Sequence, residues 1–350
     1  MHDGQKGRRV TLSMGAVSAR LRCLLAIAAT MAIGGLAVAA LHHLLNDISY
    51  RGLIDALASM SSRVIVAALA ATAVNFVVLF ANDFGALRYA GVAPPVTSTL
   101  LASFCGYALG NFIGFGALSG GAVRYRIYRA AGVSQGKIAR ITIYIATAFG
   151  MGAAATIGLG LAFRAREIAQ LYGIPYESLR LIAALILVST AAVLIGCALG
   201  RQSFRLGPVT IELPGSGLVL VQIAVTMVDI VVSSGTLWVL LPASGVDFPA
   251  FVVIYTAAVS LGLLSHTPGG IGVFDAAVLY AVGTQGSPSA VAAALVAYRA
   301  IYFLLPFVIA AVLLAATELR RLLRRRRSAS SGNRQTGSSR FPIAAPGSDR

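Results

Sequence analysis

The chain has 350 residues, of which 57% are hydrophobic and only 11% are charged, compared with about 25% charged in ordinary soluble domains. A soluble protein of this size cannot hide so much apolar surface from water, so the composition excludes an ordinary soluble globular protein. The net charge of +16 does not indicate a nucleic-acid partner, because the basic residues lie between apolar runs and at the two ends.

Eight apolar runs follow one another along the chain, and several exceed the roughly 18 residues that mark a membrane-spanning helix. They are rich in Ala, Leu, Val and Gly, which is typical of helices that pack closely in lipid. The sequence therefore predicts an all-α integral membrane protein. The runs are approximately 23–45, 64–82, 96–121, 138–163, 179–199, 216–241, 250–283 and 291–317.

Basic segments flank the apolar part at both ends. Residues 1–20 are a basic N-terminus, and residues 321–350 are an Arg-rich tail whose Ser, Gly and Pro content predicts disorder. Between them lies a membrane domain, 21–320, with halves at about 21–163 and 179–317. The first run is longer than the apolar region of a signal peptide, so we expect a retained span. The positive-inside rule places both termini on the cytoplasmic side of the membrane.

The run 96–121 is predicted to be a re-entrant hairpin. Arg88 precedes it and five basic residues follow it, so a simple crossing would place basic residues outside, against the positive-inside rule. The run 250–283 is broken by Pro268 and three glycines, and counting back from the C-terminus makes it a second hairpin from the opposite face. The prediction is thus about six spans plus two hairpins, with eight plain spans as the alternative.

The predicted order of elements suggests an inverted repeat. It is span, span, hairpin, span, and then the same order in reverse orientation, which leaves 22 of the Lys and Arg residues on the cytoplasmic side and five outside. Asp83 precedes the pair Gly120–Gly121 by 37 residues, and Asp229 precedes Gly269–Gly270 by 40. Broken segments in matching positions favour a transporter-like site at the repeat interface. The alternative is that the glycines only allow close helix packing.

The segment Leu118–Arg126 is the first candidate site. Glycines let a backbone approach a ligand closely, and arginines donate forked hydrogen bonds to phosphate. We therefore predict that a phospholipid headgroup binds here, with the alternative that the arginines only set the topology. The candidate residues are Gly120, Gly121, Arg124, Tyr125 and Arg126.

Ionisable side chains within the apolar runs form the second candidate site. Each would cost on the order of 2.5–3.5 kcal/mol if it stood alone at the bilayer centre, so we expect these groups to face a cavity or each other. Arg299 is predicted to pair with Asp229 or Asp275, as a gate or as structural glue. The intramembrane polar site comprises Asp83, Asp229, His266, Asp275 and Arg299.

Enzymatic and metal sites find little support in the sequence. Ser119 with His266 would suit an intramembrane hydrolase dyad, but the glycines around Ser119 do not have the spacing of a nucleophile elbow. Cys23, Cys105 and Cys197 form no CxxC pair, so neither a disulfide framework nor a zinc site is indicated. We assign no catalytic residue, no metal ligand and no cofactor.

Four stretches together resemble the membrane domain of the bacterial lysylphosphatidylglycerol synthetase/flippase family and its stand-alone relatives. They are Asp83–Tyr89, Leu118–Arg126, Leu240–Pro242 and Ser265–Asp275, and the resemblance covers about residues 20–320. The chain departs from the family at Asp275, where the family often has Glu. Asp keeps the charge but shortens the reach of the side chain.

The resemblance implies a flippase that moves an aminoacylated phosphatidylglycerol to the outer leaflet, where its positive charge repels cationic antimicrobial peptides. In that family a separate C-terminal domain makes the lipid, so the resemblance does not carry lysyltransferase activity over to this chain. The expected partners are a phospholipid substrate, anionic membrane lipids and a separate lipid synthase, and an oligomer is left open. The alternatives are another lipid substrate, an intramembrane enzyme, or a scaffold for a lipid-synthesising enzyme.

Overall fold

The computed structural model describes residues 50–320 except 114–115, 200–202, 207–208, 213, 243–244, 266, 284–286 and 318. The predicted first span 23–45, Cys23, His266 and the tail 321–350 therefore lie outside the described residues. The chain divides into two units, Met1–Phe307 and Val308–Arg350. In the second unit, the described residues are helical at 308–317 and 319–320.

Helices dominate the described part of the first unit, together with one short β-ribbon. The helices are α1 Tyr50–Ala58, α2 Ser62–Ala90, α3 Val96–Ile113, α4 Gly116–Ala130, α5 Gln135–Tyr172, α6 Tyr176–Leu199, α7 Ser216–Leu240, α8 Phe248–Leu264, α9 Val273–Gly283 and α10 Pro288–Tyr298. A 3₁₀ turn, Pro268–Gly270, precedes α9, and a π-helical stretch, Arg299–Leu304, follows α10. The strands β1 Ser203–Leu206 and β2 Val209–Glu212 pair antiparallel.

Six helices within the described residues are long and apolar enough to cross a membrane. They are α2, α3, α5, α6, α7 and the helix Pro288–Thr317 that begins with α10. Helices α8 and α9 are apolar but shorter. The prediction of an all-α membrane protein is confirmed, while helix α1 and the short β-ribbon are elements of the described part that the sequence analysis did not predict.

Each of the two glycine-rich runs folds as a pair of helices that pack against each other, α3 with α4 and α8 with α9. Helix α3 ends at Ile113 and α4 begins at Gly116. Helix α4 then continues to Ala130, so Arg124, Arg126 and Arg129 lie on a helix. These are three of the five basic residues that follow the run 96–121 in the sequence, and they lie on the second helix of the pair.

Left-handed glycines make the break between α8 and α9. Gly269, Gly270 and Gly272 have φ angles of 59°, 66° and 87°, a region that side chains with a Cβ rarely adopt. Asp247 is the N-cap of α8, and its carboxylate accepts from the Ala250 amide at 3.0 Å. Helix α8 thus has a hydrogen-bonded N-terminus, and the glycines after its C-terminus turn the chain into α9.

Close helix packing explains several other glycines. A methyl group at Gly152 would collide with Thr226, which places α5 directly against α7. A methyl group at Gly120 would lie only 2.6 Å from the carbonyl oxygen of Gly106, so α3 and α4 touch through their backbones. Packing through small residues is how membrane helices associate without a hydrophobic driving force. The packing interpretation of these glycines therefore holds for this part of the chain.

Helices α2 and α7 run antiparallel through a polar crossing. Asn75 bonds Asp229, and seven residues further along α2, Asn82 bonds Gln222, seven residues earlier in α7. Thr226 also donates to Asn82 at 3.4 Å. Since α2 and α7 are the matching spans of the two predicted halves, their opposite directions agree with a repeat of reversed orientation.

Candidate functional site

A cavity of about 170 Å³ lies where the two helix breaks meet, and we call it the central cavity. Helices α2, α3 and α5 line one side, and α7, α8 and the 3₁₀ turn line the other. A methyl group at Gly269 would lie 3.5 Å from the carbonyl oxygen of Phe112, so the two breaks approach each other closely. The polar residues of the lining are Tyr107, Asn111, Asp229, Ser233, Tyr255, Thr256, Thr267 and Tyr302.

A buried ion pair joins the first hairpin to α2. The guanidinium of Arg124 donates from Nε to Asp83 Oδ1 at 2.9 Å and from Nη2 to Asp83 Oδ2 at 3.0 Å. Ser103 Oγ donates to the same carboxylate at 2.8 Å. The side chains of Arg124 and Asp83 are only 4% and 0% exposed. This two-point geometry supplies the neutralisation that both charges require once water is removed.

The position of Arg124 depends on its neighbours in the first hairpin. Its guanidinium lies over the ring of Tyr107, 4.4 Å from the centroid, in a stabilising cation–π contact. A methyl group at Gly106 would lie 3.0 Å from the guanidinium carbon, so glycine leaves the space that Arg124 occupies. The predicted roles therefore change, because Asp83 and Tyr107 already engage the arginine that we expected to hold a headgroup phosphate.

A second ion pair joins the second hairpin to the π-helical stretch. Arg299 donates from Nε to Asp275 Oδ1 at 3.0 Å and from Nη2 to Asp275 Oδ2 at 2.6 Å. Its Nη1 donates to the carbonyl of Gly269 at 3.1 Å, and the Gly272 amide donates to Asp275. Of the two partners considered for Arg299, the structure selects Asp275. The pair also fixes the backbone of the helix break.

Asp229 has a different environment from the other two acids. It is 8% exposed, and Asn75 Nδ2 donates both to its Oδ1 at 2.7 Å and to its backbone carbonyl at 2.9 Å. Tyr302 in turn donates to Asn75 Oδ1 at 2.7 Å. Among the described residues, no Lys or Arg forms an ion pair with Asp229. Its carboxylate is thus the acidic group of the central cavity that lacks a cationic partner in the described chain.

Tyr107 contributes a second polar group whose bonding is incomplete. Its hydroxyl is buried without a hydrogen-bond partner and belongs to the lining of the same cavity as Asp229. A buried polar group that finds no partner costs roughly 1–3 kcal/mol, which a polar occupant of the cavity would remove. The cavity therefore offers one anionic acceptor and one unsatisfied hydroxyl.

The remaining predicted residues lie away from the central cavity. Gly120 and Gly121 pack against α3 and Thr142, and Arg126 is exposed on α4. Tyr125 is 41% exposed, and its hydroxyl accepts from Gln135 at 2.7 Å. His266 lies outside the described residues, so the Ser119–His266 dyad stays a hypothesis. The described residues contain no group of three or more potential metal ligands.

Sequence reasoning missed Asn75, Tyr107 and Tyr302. Two of them are aromatic residues, and an aromatic residue in an apolar run resembles ordinary core. Asn75 gave a usable signal, because an amide in the middle of a predicted span is unusual and needs a partner. Its spacing of seven residues from Asn82 would have placed both amides on one helix face.

Comparison with known proteins gives one consistent result. A model of the lysylphosphatidylglycerol synthase transmembrane region matches residues 23–310. The chain is 30% identical to the uncharacterized protein slr0712 of Synechocystis sp. over 272 residues, 77% of this chain and 84% of that protein. It is 25% identical to the inner membrane protein YbhN of Escherichia coli over 254 residues, 71% of this chain and 78% of that protein.

A shorter match concerns a protein with a named activity. The phosphatidylglycerol lysyltransferase of Staphylococcus aureus strain COL is 40% identical over 68 residues, which are 19% of this chain and 8% of that protein. Together with the six long apolar helices, these similarities show a multi-pass membrane protein and confirm the resemblance seen in the sequence motifs.

Proposed function

Since this chain belongs to the family of lysylphosphatidylglycerol synthase transmembrane regions, we propose that it moves a phospholipid between the two leaflets of a bacterial inner membrane. The family relates the chain to membrane lipids. Leaflet-to-leaflet movement is our extension, and it is carried by the central cavity with the unneutralised carboxylate of Asp229.

The chemistry of the cavity fits an aminoacylated phosphatidylglycerol. The ammonium group of such a lipid would bind the carboxylate of Asp229, and a phosphate oxygen would accept from the hydroxyl of Tyr107. A cavity of 170 Å³ holds on the order of ten waters, which is the scale of a headgroup rather than of a whole lipid. The acyl chains would therefore remain in the bilayer while the headgroup passes between the hairpins.

The two hairpins supply the structural basis for alternating access. In transporters built from inverted repeats, broken helices meet near the membrane midplane and the substrate binds between the repeats. Here the carbonyl end of α3, at Asn111 and Phe112, approaches the turn at Gly269 beside the cavity. We propose that both hairpins are re-entrant and that rearrangement of the turn at Gly269 opens the headgroup path.

A leaflet assay on the purified chain in liposomes tests the function. Labelled lysyl-phosphatidylglycerol and plain phosphatidylglycerol are placed in one leaflet, and their exposure in the other is followed over time. We expect the lysyl lipid to cross faster with the protein than without it. We expect Asp229→Asn to remove at least about 90% of that acceleration, because an amide does not balance an ammonium ion.

The matched control is Asp247→Asn, which makes the same chemical change at a partly exposed helix cap that pairs with Arg164. It should retain the rate of the unmodified protein. If Asp229→Asn moves each lipid as fast as the unmodified protein does, the role of the cavity is refuted. No acceleration of either lipid by the unmodified protein would refute the proposed function.

A further inference from the structure

A second cavity lies outside the central cavity, between α5, α6 and α7. It has a volume of about 500 Å³ and opens on the lateral surface of the helix bundle, and we call it the lateral groove. Pockets that bind small molecules commonly have volumes of about 300–1,000 Å³. Ile143 and Val193 at its edge are 39% and 47% exposed, so the groove faces the surroundings of the bundle.

The groove has one polar end. Arg140 and Tyr144 lie one turn apart on α5 and both line it. Tyr144 is 6% exposed, its ring stacks on Tyr89 at 4.7 Å between centroids, and its buried hydroxyl has no hydrogen-bond partner. A buried hydroxyl without a partner, one helical turn from an arginine that lines the same groove, favours an anionic ligand.

The rest of the groove is mostly apolar, and two further polar side chains in its lining, Thr147 and Gln222, already hydrogen-bond within the protein. Met151, Val193 and Cys197 line it away from the polar end. Met151 follows Arg140 by eleven residues on the same helix, so it lies about 16 Å further along the α5 axis. The groove therefore combines a cationic end and a long apolar wall parallel to a membrane-spanning helix, which is the layout of one phospholipid leaflet.

The charges around the groove favour an anionic ligand. No Asp or Glu occurs among the described residues that line the groove. Lys137 and Arg88 lie at the same end of the bundle as Arg140, and Lys137 donates to the carbonyl of Gly91 at 3.1 Å. Basic residues at one membrane boundary attract anionic lipid headgroups.

We infer that the lateral groove binds an anionic glycerophospholipid. Its phosphate lies between the guanidinium of Arg140 and the hydroxyl of Tyr144, and one acyl chain runs along Met151, Val193 and Cys197. This site is separate from the Asp229 cavity and requires no lipid movement. It assigns functions to a groove and to an unsatisfied tyrosine that the proposed translocation does not use.

Native mass spectrometry of the purified full chain tests the site, with phosphatidylglycerol titrated against delipidated protein. We expect one tightly bound phosphatidylglycerol. Phosphatidylcholine should bind at least about tenfold more weakly, because its choline cation would lie at the basic end with Arg140, Lys137 and Arg88. Oleate should also bind at least about tenfold more weakly, because it lacks the phosphate and has only one acyl chain. Arg140→Gln and Val193→Trp should each weaken binding about tenfold or more, the first by removing the charge and the second by filling the groove.

Tyr144→Phe keeps the ring stacking and removes only the hydroxyl, so it should fold normally and weaken binding by about threefold to tenfold. Arg129→Gln is the matched control, because it removes a positive charge from the exposed end of α4, outside the groove. It should bind phosphatidylglycerol as the unmodified protein does.

Unchanged affinity in Arg140→Gln and Val193→Trp would overturn the inference, and so would equal affinity for phosphatidylcholine or oleate. The same titration on Asp229→Asn separates the two proposals, because that variant should keep the lateral site whatever happens to translocation.

Discussion

The pair Asp83–Arg124 in the first half and the pair Asp275–Arg299 in the second half connect the same kinds of element with the charges exchanged. In the first half the acid lies on a long helix and the arginine on the second limb of the hairpin. In the second half the acid lies on the second limb and the arginine in the π-helical stretch within the long helix Pro288–Thr317. Both pairs make two parallel hydrogen bonds.

Their surroundings differ in a way that suggests different roles. The side chains of the first pair are 4% and 0% exposed, whereas those of the second are 22% and 12% exposed. The first arginine packs over Tyr107, while the second bonds the backbone of the left-handed turn at Gly269. A sealed pair fastens a hairpin permanently, and a pair at a partly accessible turn is the better candidate for a movable contact.

Arg124→Gln should produce the largest loss of stability. It leaves the Asp83 carboxylate buried without its cation, and breaking a buried pair from one side costs about 3–5 kcal/mol. The measurement is the free energy of unfolding in detergent. The double variant Asp83→Asn with Arg124→Gln should recover part of the loss, because no bare charge remains. If the free energy of unfolding of Arg124→Gln lies within about 1 kcal/mol of that of the unmodified protein, the loss is only what an exposed ion pair contributes. That result would contradict the interpretation of Asp83–Arg124 as a buried structural pair.

Arg299→Gln should have a smaller effect on stability and a larger effect on local motion. Hydrogen bonds to charged groups contribute about 1.5–3 kcal/mol, and partial exposure lets water replace some of this contribution. We expect a loss below that of Arg124→Gln. Amide hydrogen exchange at Gly270 and Gly272 should accelerate, because the turn loses the bond to the Gly269 carbonyl. Arg164→Gln, which removes an exposed surface pair, should leave this exchange unchanged.

The sequence predicted the spans well, because hydropathy records them directly. The runs 64–82, 138–163, 179–199 and 216–241 correspond to α2, α5, α6 and α7, and each predicted end lies within about nine residues of the observed one. The glycine break near Gly269 and the pairing of Arg299 with an acid were also visible. Glycine permits left-handed backbone wherever it occurs, and a charged side chain within an apolar span needs a partner wherever it occurs.

The partner of Arg124 was not visible in the sequence pattern. Asp83 lies 41 residues earlier, and no local periodicity joins two positions so far apart. The positive-inside rule counts arginines without asking whether a carboxylate neutralises them. It therefore counted Arg124 among the cytoplasmic charges, although the tertiary fold buries its side chain against Asp83.

Asp229→Asn should change stability less than either arginine variant. The change keeps the shape and the acceptor for Asn75 while it removes a buried charge that no described cation balances, so we expect a shift below about 1 kcal/mol. Translocation should nevertheless be lost. Equal losses of stability in Asp229→Asn and Arg124→Gln would show that Asp229 is a third structural pair rather than a binding group.

Tyr107→Phe should have the smallest effect on stability. It tests the contribution of the central cavity to transport separately from that of the ion pairs. The phenyl ring still lies beneath Arg124, and the deleted hydroxyl has no partner in the protein, so the free energy of unfolding should stay equal or rise by up to about 1 kcal/mol. Tyr128→Phe is the matched control, because it also removes a buried hydroxyl from the first hairpin, but Tyr128 does not line the central cavity. We expect transport of the lysyl lipid to fall several-fold in Tyr107→Phe and to stay normal in Tyr128→Phe. If transport falls equally in both variants, the effect is assigned to the Asp83–Arg124 ion pair. If transport falls in neither variant, Tyr107 does not contribute to the headgroup path.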